Sequence, residues 1–163
     1  MEHPSACSPP QHQPLPASGS RTDWISWANS LESMRAIGLV CLSVEPEQSE
    51  FMLEVSNFPL NANSAINGGI VAAVADQAMA VVAARASAPD FVPVTGSLHI
   101  QFHSPAHFPL TVRGTLLPSG FRIKYVEVVV EDDAGRRCAT AHGTMISGRT
   151  ARRIAPRRSN NEP

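Results

Sequence analysis

Residues 68–86, which read GGIVAAVADQAMAVVAARA, constrain the fold most, because a helix made of them is apolar on almost every side. The alanines favour a helix, and a helix that is hydrophobic all round is either buried or spans a membrane. Asp76 and Gln77 interrupt its middle, and an aspartate at the centre of a bilayer costs about 2.5–3.5 kcal/mol on insertion scales. We therefore expect a helix buried at the centre of the protein.

Segments whose residues favour β-strands lie on both sides of this helix in the sequence. Residues 39–45 and 51–55 flank a polar turn that contains Pro46, and they predict a hairpin. After the helix, strands are predicted over residues 94–102, 110–117, 121–131 and 137–146, with tight turns between the later ones. This order predicts a single α+β domain in which a curved, mostly antiparallel sheet of about six strands wraps around the long central helix.

The flanking segments differ in composition from this domain. A first helix is predicted over residues 23–37, with Thr22 or Asp23 as its cap and Gly38 as its end. Residues 1–20 are rich in proline and have no apolar core of a signal peptide, which predicts a disordered arm. Residues 21–148 form the expected domain. Residues 149–163 carry five arginines and predict a flexible basic tail, with a phosphate-contacting or partner-binding arm as the alternative.

Composition narrows the classes of function. Thirteen basic and 14 acidic residues give a net charge of −1, and aromatic residues make up only 6%, so nucleic-acid binding is not expected. Cys7, Cys41 and Cys138 are far apart and form no CxxC pair, which disfavours disulfides and zinc sites. Reduced thiols fit a cytoplasmic protein. His99 and His103 share a strand face without a carboxylate or cysteine near them in sequence, so neither a metal nor another cofactor is expected.

Asp76 is the main candidate for chemistry. An isolated buried carboxylate must either find hydrogen-bond donors or shift its pKa upward, and such groups are enriched at functional sites. The alternative is an aspartate with a structural role, facing a wet gap and bonded to a loop amide. Gly68 and Gly69 open the same helix, and free amides together with the helix dipole are the parts of an oxyanion hole.

The spacing of these residues raises a geometric problem. Asp76 follows Gly68 by eight residues, which places its carboxylate roughly 12 Å farther along the helix axis. The two groups cannot contact one carbonyl within a single chain. Either they serve different parts of a ligand, or Asp76 acts on a ligand that a second subunit holds.

The glycine pair with an aspartate eight residues on, and the later run TGSLHIQFHSPA at residues 95–106, resemble the hot-dog fold acyl-CoA thioesterases. The chain is most similar to their phenylacetate-pathway-like (PaaI-like) branch, over about residues 39–147. The resemblance implies the hot-dog fold and hydrolysis of an acyl-CoA thioester, and we expect a medium-chain or aryl acyl group. It also implies a cytoplasmic homodimer or homotetramer whose active sites are shared between subunits.

The resemblance also implies roles for individual residues. Asp76 corresponds to the carboxylate that acts as general base or nucleophile, and Gly68 to the glycine whose amide polarises the thioester carbonyl. Asn61 corresponds to a loop asparagine that positions substrate or water, and Thr95 to a hydroxyl that aids the water. The expected substrate-binding residues are Asn67, Gly69, Gly96 and Arg122.

Two departures from the family pattern keep other functions open. Asn67 stands where the family usually has histidine, and Phe121 separates Gly120 from Arg122, where relatives often place a basic residue directly after the glycine. CoA phosphates would then meet Arg122 or the basic tail. A non-catalytic acyl-CoA binder is the main alternative. A hydratase is disfavoured because no histidine occurs between Asn61 and Val94, and a purely structural oligomerisation module remains open.

Overall fold

The structure, a computed structural model, describes residues 14–16, 19–87 and 91–149. Within these residues, three helices and six strands follow one another in chain order: α1 Arg21–Ser30, α2 Glu32–Ile37, β1 Val40–Val44, β2 Gln48–Leu53, α3 Gly68–Arg85, β3 Phe91–Phe102, β4 Leu110–Leu117, β5 Ile123–Asp132 and β6 Arg137–Arg149.

The six strands form one sheet in the order β1-β2-β4-β5-β6-β3, and every neighbouring pair is antiparallel. β3 follows α3 directly in the chain, yet it lies at the edge of the sheet beside β6. The sheet packs around α3, which contacts all six strands. This α+β architecture is the hot-dog fold that the resemblance implied, so the predicted fold class is confirmed.

Alternation along the strands separates an inner face, which packs on α3, from an outer face. On β5, Val126, Val128 and Val130 are buried on the inner face, while Tyr125 is exposed on the outer face. On β6, Gly143 belongs to the inner face, because a Cβ there would lie 2.5 Å from Met79 Cε of α3. The sheet thus approaches the helix so closely at this point that no side chain fits between them.

α3 is the core helix that the sequence predicted. It spans Gly68–Arg85, and nine of its residues are buried. The helix is long and apolar enough to cross a membrane, with a mean hydropathy of 1.3 over 18 residues. Half of it is buried inside the domain, which is the environment of a core helix in a packed protein.

The N-terminal part departs from its prediction. Instead of one helix over residues 23–37, α1 and α2 are separated by Leu31, whose φ of −63° and ψ of 128° are extended. Ser20 caps α1 by accepting a hydrogen bond from the Asp23 amide, so Thr22 and Asp23 lie inside the helix. Gly38 ends α2 as predicted, in a left-handed conformation with φ of 84°. A stripe of apolar residues at helical spacing could not reveal a one-residue break.

The other boundaries moved by a few residues. β2 begins at Gln48, because the Glu45 amide donates to the Gln48 carbonyl and closes a shorter turn than expected. β5 begins at Ile123, because Phe121 and Arg122 belong to the preceding turn. The predicted arm over residues 1–20 and basic tail over residues 149–163 lie mostly outside the described residues, and the domain limits stay predictions. Leu15, within that arm, packs against the core.

Candidate functional site

Asp76 lies half-buried in the third turn of α3, beside the edge strand β3. Its Oδ1 accepts a hydrogen bond of 2.6 Å from Thr95 Oγ1. The carboxylate has therefore found a donor, one of the two outcomes expected for it. Its Oδ2 accepts no hydrogen bond from any other residue that the structure describes. The arrangement holds one carboxylate oxygen in place and leaves the other to accept a proton.

A bulge in β3 places Thr95 beside the helix. The register of β3 against β6 shifts between Thr95 and Ser97, so Gly96 is the extra residue. A Cβ at Gly96 would lie 2.9 Å from both Thr144 Oγ1 and Ile146 Cδ1 of β6. Glycine is thus required by the close packing of the bulge. Gly96 therefore has a local packing role, because it forms the bulge that places Thr95.

The N-terminus of α3 is capped by Asn67. Its Oδ1 accepts a hydrogen bond of 2.8 Å from the Gly69 amide, a common way of satisfying one of the free amides at a helix start. The Gly68 amide has no acceptor within the described part of the chain. Of the two amides that the sequence offered for an oxyanion hole, the cap occupies the one of Gly69 and leaves the one of Gly68.

A cavity of about 360 Å³ opens at this end of α3. Gly68 and Asn61 both line it, together with Val71, Phe102, Ala106 and Cys138. The Asn61 Oδ1 accepts hydrogen bonds from the amides of Asn63 and Ala65, so this oxygen holds the loop before α3. The Nδ2 group of Asn61 has no partner among the described residues, and it remains the atom with which Asn61 can contact a ligand.

Phe102, at the end of β3, covers the start of α3. A Cβ at Gly68 would lie 3.2 Å from Phe102 Cζ and 3.4 Å from Cε1. The ring is 47% exposed in the chain. Sequence reasoning did not select Phe102, although the alternation of Leu98, Ile100 and Phe102 in β3 could have placed it on the helix side of the sheet.

One chain brings the expected catalytic residues together only in pairs. Asp76 contacts Thr95, and Asn61 shares a cavity with Gly68, but neither Asp76 nor Thr95 lines that cavity. Gly68 and Asp76 are separated because the eight-residue step between them spans roughly 12 Å along the axis of α3. The geometric problem posed by the sequence is therefore present in the folded chain.

The remaining expected site residue, Arg122, is exposed in the turn between β4 and β5. Its carbonyl accepts a hydrogen bond of 2.8 Å from the Ser147 amide, so the turn is held near the C-terminal end of β6. The guanidinium contacts neither the Asp76–Thr95 pair nor the Gly68 cavity in the described residues. Most of the basic tail, the other source of positive charge, follows Arg149 and lies outside them.

No group of His, Cys, Asp and Glu side chains suited to a metal ion occurs within residues 14–16, 19–87 and 91–149. His99 pairs across the strands with His142, and the His142 ring contacts Glu127 Oε2 at 2.9 Å. Cys41 and Cys138 are buried free cysteines. Burial raises the pKa of the Cys41 thiol to about 12, so the thiol stays protonated and unreactive at neutral pH.

The chain is similar to known proteins in sequence pattern and in fold. The sequence profile of the thioesterase superfamily matches residues 63–139, and no curated protein matches the chain significantly. The Escherichia coli PaaI protein from the phenylacetic acid degradation operon is 18% identical, with a TM-score of 0.69 over 77% of this chain and 91% of that one.

Two further solved structures share the architecture. A thioesterase from Haemophilus influenzae is 12% identical, with a TM-score of 0.73 over 83% of this chain and 95% of that one. A Streptococcus mutans protein bound to acetyl CoA is 23% identical, with a TM-score of 0.66 over 75% of this chain and 98% of that one. At these identities the similarity to solved structures shows the fold.

Proposed function

We propose that the chain hydrolyses the thioester of a medium-chain or aryl acyl-CoA to the free acid and CoA, as a member of the PaaI-like branch. The match of the thioesterase superfamily profile to residues 63–139 supports this. One observation carries the proposal: the only carboxylate of the core helix α3 accepts a hydrogen bond from Thr95 through one oxygen, and its other oxygen has no donor among the described residues. The structural alternative expected a bond to a loop amide, whereas Asp76 accepts from the hydroxyl of a strand residue.

In the proposed reaction, Asp76 Oδ2 takes a proton from water while the water oxygen attacks the thioester carbon. Thr95 holds the carboxylate in position through Oδ1. The Gly68 amide donates to the oxyanion that forms, at the positive end of the α3 dipole. When the carbon–sulfur bond breaks, the proton returns from Asp76 to the CoA thiolate. Direct attack by Asp76 on the carbonyl carbon is the other route by which the same carboxylate can act.

The distance between Gly68 and Asp76 supports a homodimer, or a homotetramer built from such dimers, in which each site takes its amide from one subunit and its carboxylate from the other. β3 offers a surface for this. It is an edge strand, and its apolar residues Val94, Leu98 and Phe102 are 59%, 37% and 47% exposed in the single chain. A long exposed apolar edge is a template for pairing with another chain.

The CoA end of the substrate carries phosphates, which bind cationic side chains. We assign Arg122 and the arginines after residue 148 to them, because Arg122 lies on the turn held beside the end of β6. Gly69 and Asn67 support the site through the helix cap. The free thiols Cys41 and Cys138 support a cytoplasmic location, where thiols stay reduced.

A non-catalytic acyl-CoA binder of the same fold is the second candidate. Asn67 favours it, because asparagine cannot titrate where the family usually has histidine. In this chain its side-chain oxygen is engaged in the cap. The Streptococcus mutans structure with acetyl CoA supports acyl-CoA as the ligand class under either candidate.

Asp76→Asn tests the proposal most directly. Asparagine keeps an oxygen that can accept from Thr95 but cannot take a proton from water, so the fold is retained and hydrolysis falls by at least ~100-fold. Thiol release from a panel of acyl-CoAs of graded length and aromaticity measures it.

Asp133→Asn, in the exposed turn after β5, is the matched control and keeps full activity. Near-normal turnover of every good substrate by Asp76→Asn contradicts the mechanism. Tight binding of acyl-CoA by the unmodified protein, without turnover of any member of the panel, supports the binder instead.

A further inference from the structure

We infer that Phe102 determines which acyl groups the protein accepts, by closing the cavity beside the Gly68 amide and limiting the length of the acyl chain. The inference rests on the proposed acyl-CoA ligand. It adds a residue that neither the motif at residues 68–76 nor the Asp76–Thr95 pair contains.

The first step concerns the position of the ring. Three carbons of the Phe102 ring lie 3.2–3.7 Å from where a Cβ of Gly68 would be. The ring therefore lies directly against the residue whose amide has no acceptor in the described chain. A carbonyl that binds this amide brings its acyl chain next to the ring.

The second step concerns the rest of the cavity. Val71, Ala106 and Cys138 line it together with polar loop residues, and all three are buried. Cys138 Sγ lies 3.7 Å from the Pro105 carbonyl oxygen and 3.5 Å from that of Arg136, so it is fixed by the backbone around it. Among the large apolar residues that line the cavity, Phe102 is the one that is exposed in the single chain, at 47%.

The third step concerns size. The volume of about 360 Å³ lies near the lower end of the range of about 300–1,000 Å³ for ligand pockets. An acyl group of the proposed medium-chain or aryl size fits this volume, and a longer chain must displace the Phe102 ring. Removing the ring enlarges the cavity beside Gly68.

Phe102→Ala should shift the preference toward longer acyl chains. Each additional methylene that becomes buried is expected to raise kcat/KM for the longer substrate about fourfold relative to the shorter one, the equivalent of ~0.8 kcal/mol per buried methylene. The measurement is kcat/KM over a series of straight-chain acyl-CoAs, together with the Kd of S-alkyl-CoA thioethers of the same lengths, which cannot be hydrolysed. Phe102→Leu, which keeps an apolar side chain of intermediate size, should shift the preference less and covers the case in which Phe102→Ala does not fold.

Leu42→Ala is the matched control. Leu42 is an exposed leucine on β1, the strand at the opposite edge of the sheet, and it does not line the cavity. It should leave the length preference unchanged, whereas a general effect of losing exposed apolar surface would change the preference of both variants.

A second measurement tests the contact itself. Gly68→Ala places a methyl group 3.2 Å from the ring, and this crowding disappears when the ring is removed. The decrease in kcat/KM caused by Gly68→Ala should therefore be smaller by at least about twofold when Phe102 is also replaced by alanine, as expected for two residues in contact.

The outcomes separate this inference from the proposed function. Ligand binding with the same length preference in Phe102→Ala as in the unmodified protein overturns the role of Phe102 and leaves the hydrolase proposal intact. Altered length preference in thioether binding without any turnover supports the role of Phe102 and overturns the hydrolase. Absence of both binding and turnover over the whole series overturns both.

Discussion

The amide of Gly68 is the residue-scale feature that links helix geometry to the proposed chemistry. Gly68 is the first residue of α3, after the cap Asn67. The first position of a helix is the one at which proline is tolerated best, because its N–H has no partner inside the helix. Asn67 has φ of −58° and ψ of 133°, an extended conformation that the residue before a proline also prefers.

Gly68→Pro should therefore remove the proposed oxyanion donor and keep the helix. Loss of one such donor typically lowers kcat by about 10²–10³-fold, and we expect a loss of this size. Gly68→Ala is the control, because it keeps the amide and has only the contact with Phe102 to accommodate. Steady-state kinetics measure kcat, and circular dichroism checks the helix content. Equal activity of the two variants would show that the Gly68 amide stabilises no oxyanion.

Sequence reasoning at this scale could select Asp76, because an acid is costly in an apolar helix, and Thr95 through the family resemblance. It could not assign the Gly69 amide to the Asn67 cap, because a glycine pair after asparagine is equally typical of a capped helix start and of an anion-binding site. It also missed Phe102, whose contact with Gly68 depends on how β3 crosses the helix. That crossing is set by the whole sheet.

At the scale of elements, the turn between β5 and β6 depends on one carboxylate. Asp132 is buried, and its Oδ1 accepts hydrogen bonds from the Ala134 and Arg136 amides. Its Oδ2 accepts from the Arg136 side chain, with an Nη2 contact of 2.7 Å. These bonds, led by the Arg136 amide, hold the pKa of Asp132 below its usual value of 3.8.

Asp132→Asn should lower the thermal stability of the protein, because an amide nitrogen cannot accept from Arg136. A lowered pKa in the folded state means that the carboxylate stabilises the fold above its usual pKa and loses this contribution as the pH falls through the lower folded value. The Tm of Asp132→Asn should thus lie below that of the unmodified protein at neutral pH, and the gap should narrow below pH 3.8. Asp133→Asn serves as the neighbouring control. A gap that stays constant with pH would mean that the charge of Asp132 contributes nothing.

Helices and strands were predictable from the sequence where the spacing of apolar residues followed a single helical or strand period. β4 was predicted at residues 110–117 and found at Leu110–Leu117, and α3 differed only at its last residue. The predictions failed where a single hydrogen bond decides a boundary, as at Leu31, whose amide donates to the Ala28 carbonyl and ends α1. The helical spacing of apolar residues continues across such a break, so the spacing does not indicate where the helix ends.

At the scale of the whole molecule, the two halves of the proposed site lie at separate places in the chain. The Gly68 amide and the cavity lie at the start of α3, and Asp76 with Thr95 lies about two turns farther on. The edge strand β3 runs past both, from Thr95 to Phe102, and it is exposed. A two-fold axis beside this edge would place the start of one α3 opposite the aspartate of the other, because a symmetric interface presents the same surface from both subunits.

Mixing two inactive variants tests this assembly. Asp76→Asn spoils the carboxylate half and Gly68→Pro spoils the amide half, so a hybrid dimer contains one site with both defects and one with neither. Random exchange of equal amounts should restore about a quarter of the wild-type activity, since half of the dimers are hybrids with one intact site each. Different affinity tags on the two variants allow the hybrid to be purified and its thiol release measured, and each variant exchanged with itself is the control. A purified hybrid without activity would mean that each site takes both groups from one chain, so that α3 would have to bend or the ligand would have to span both ends of it.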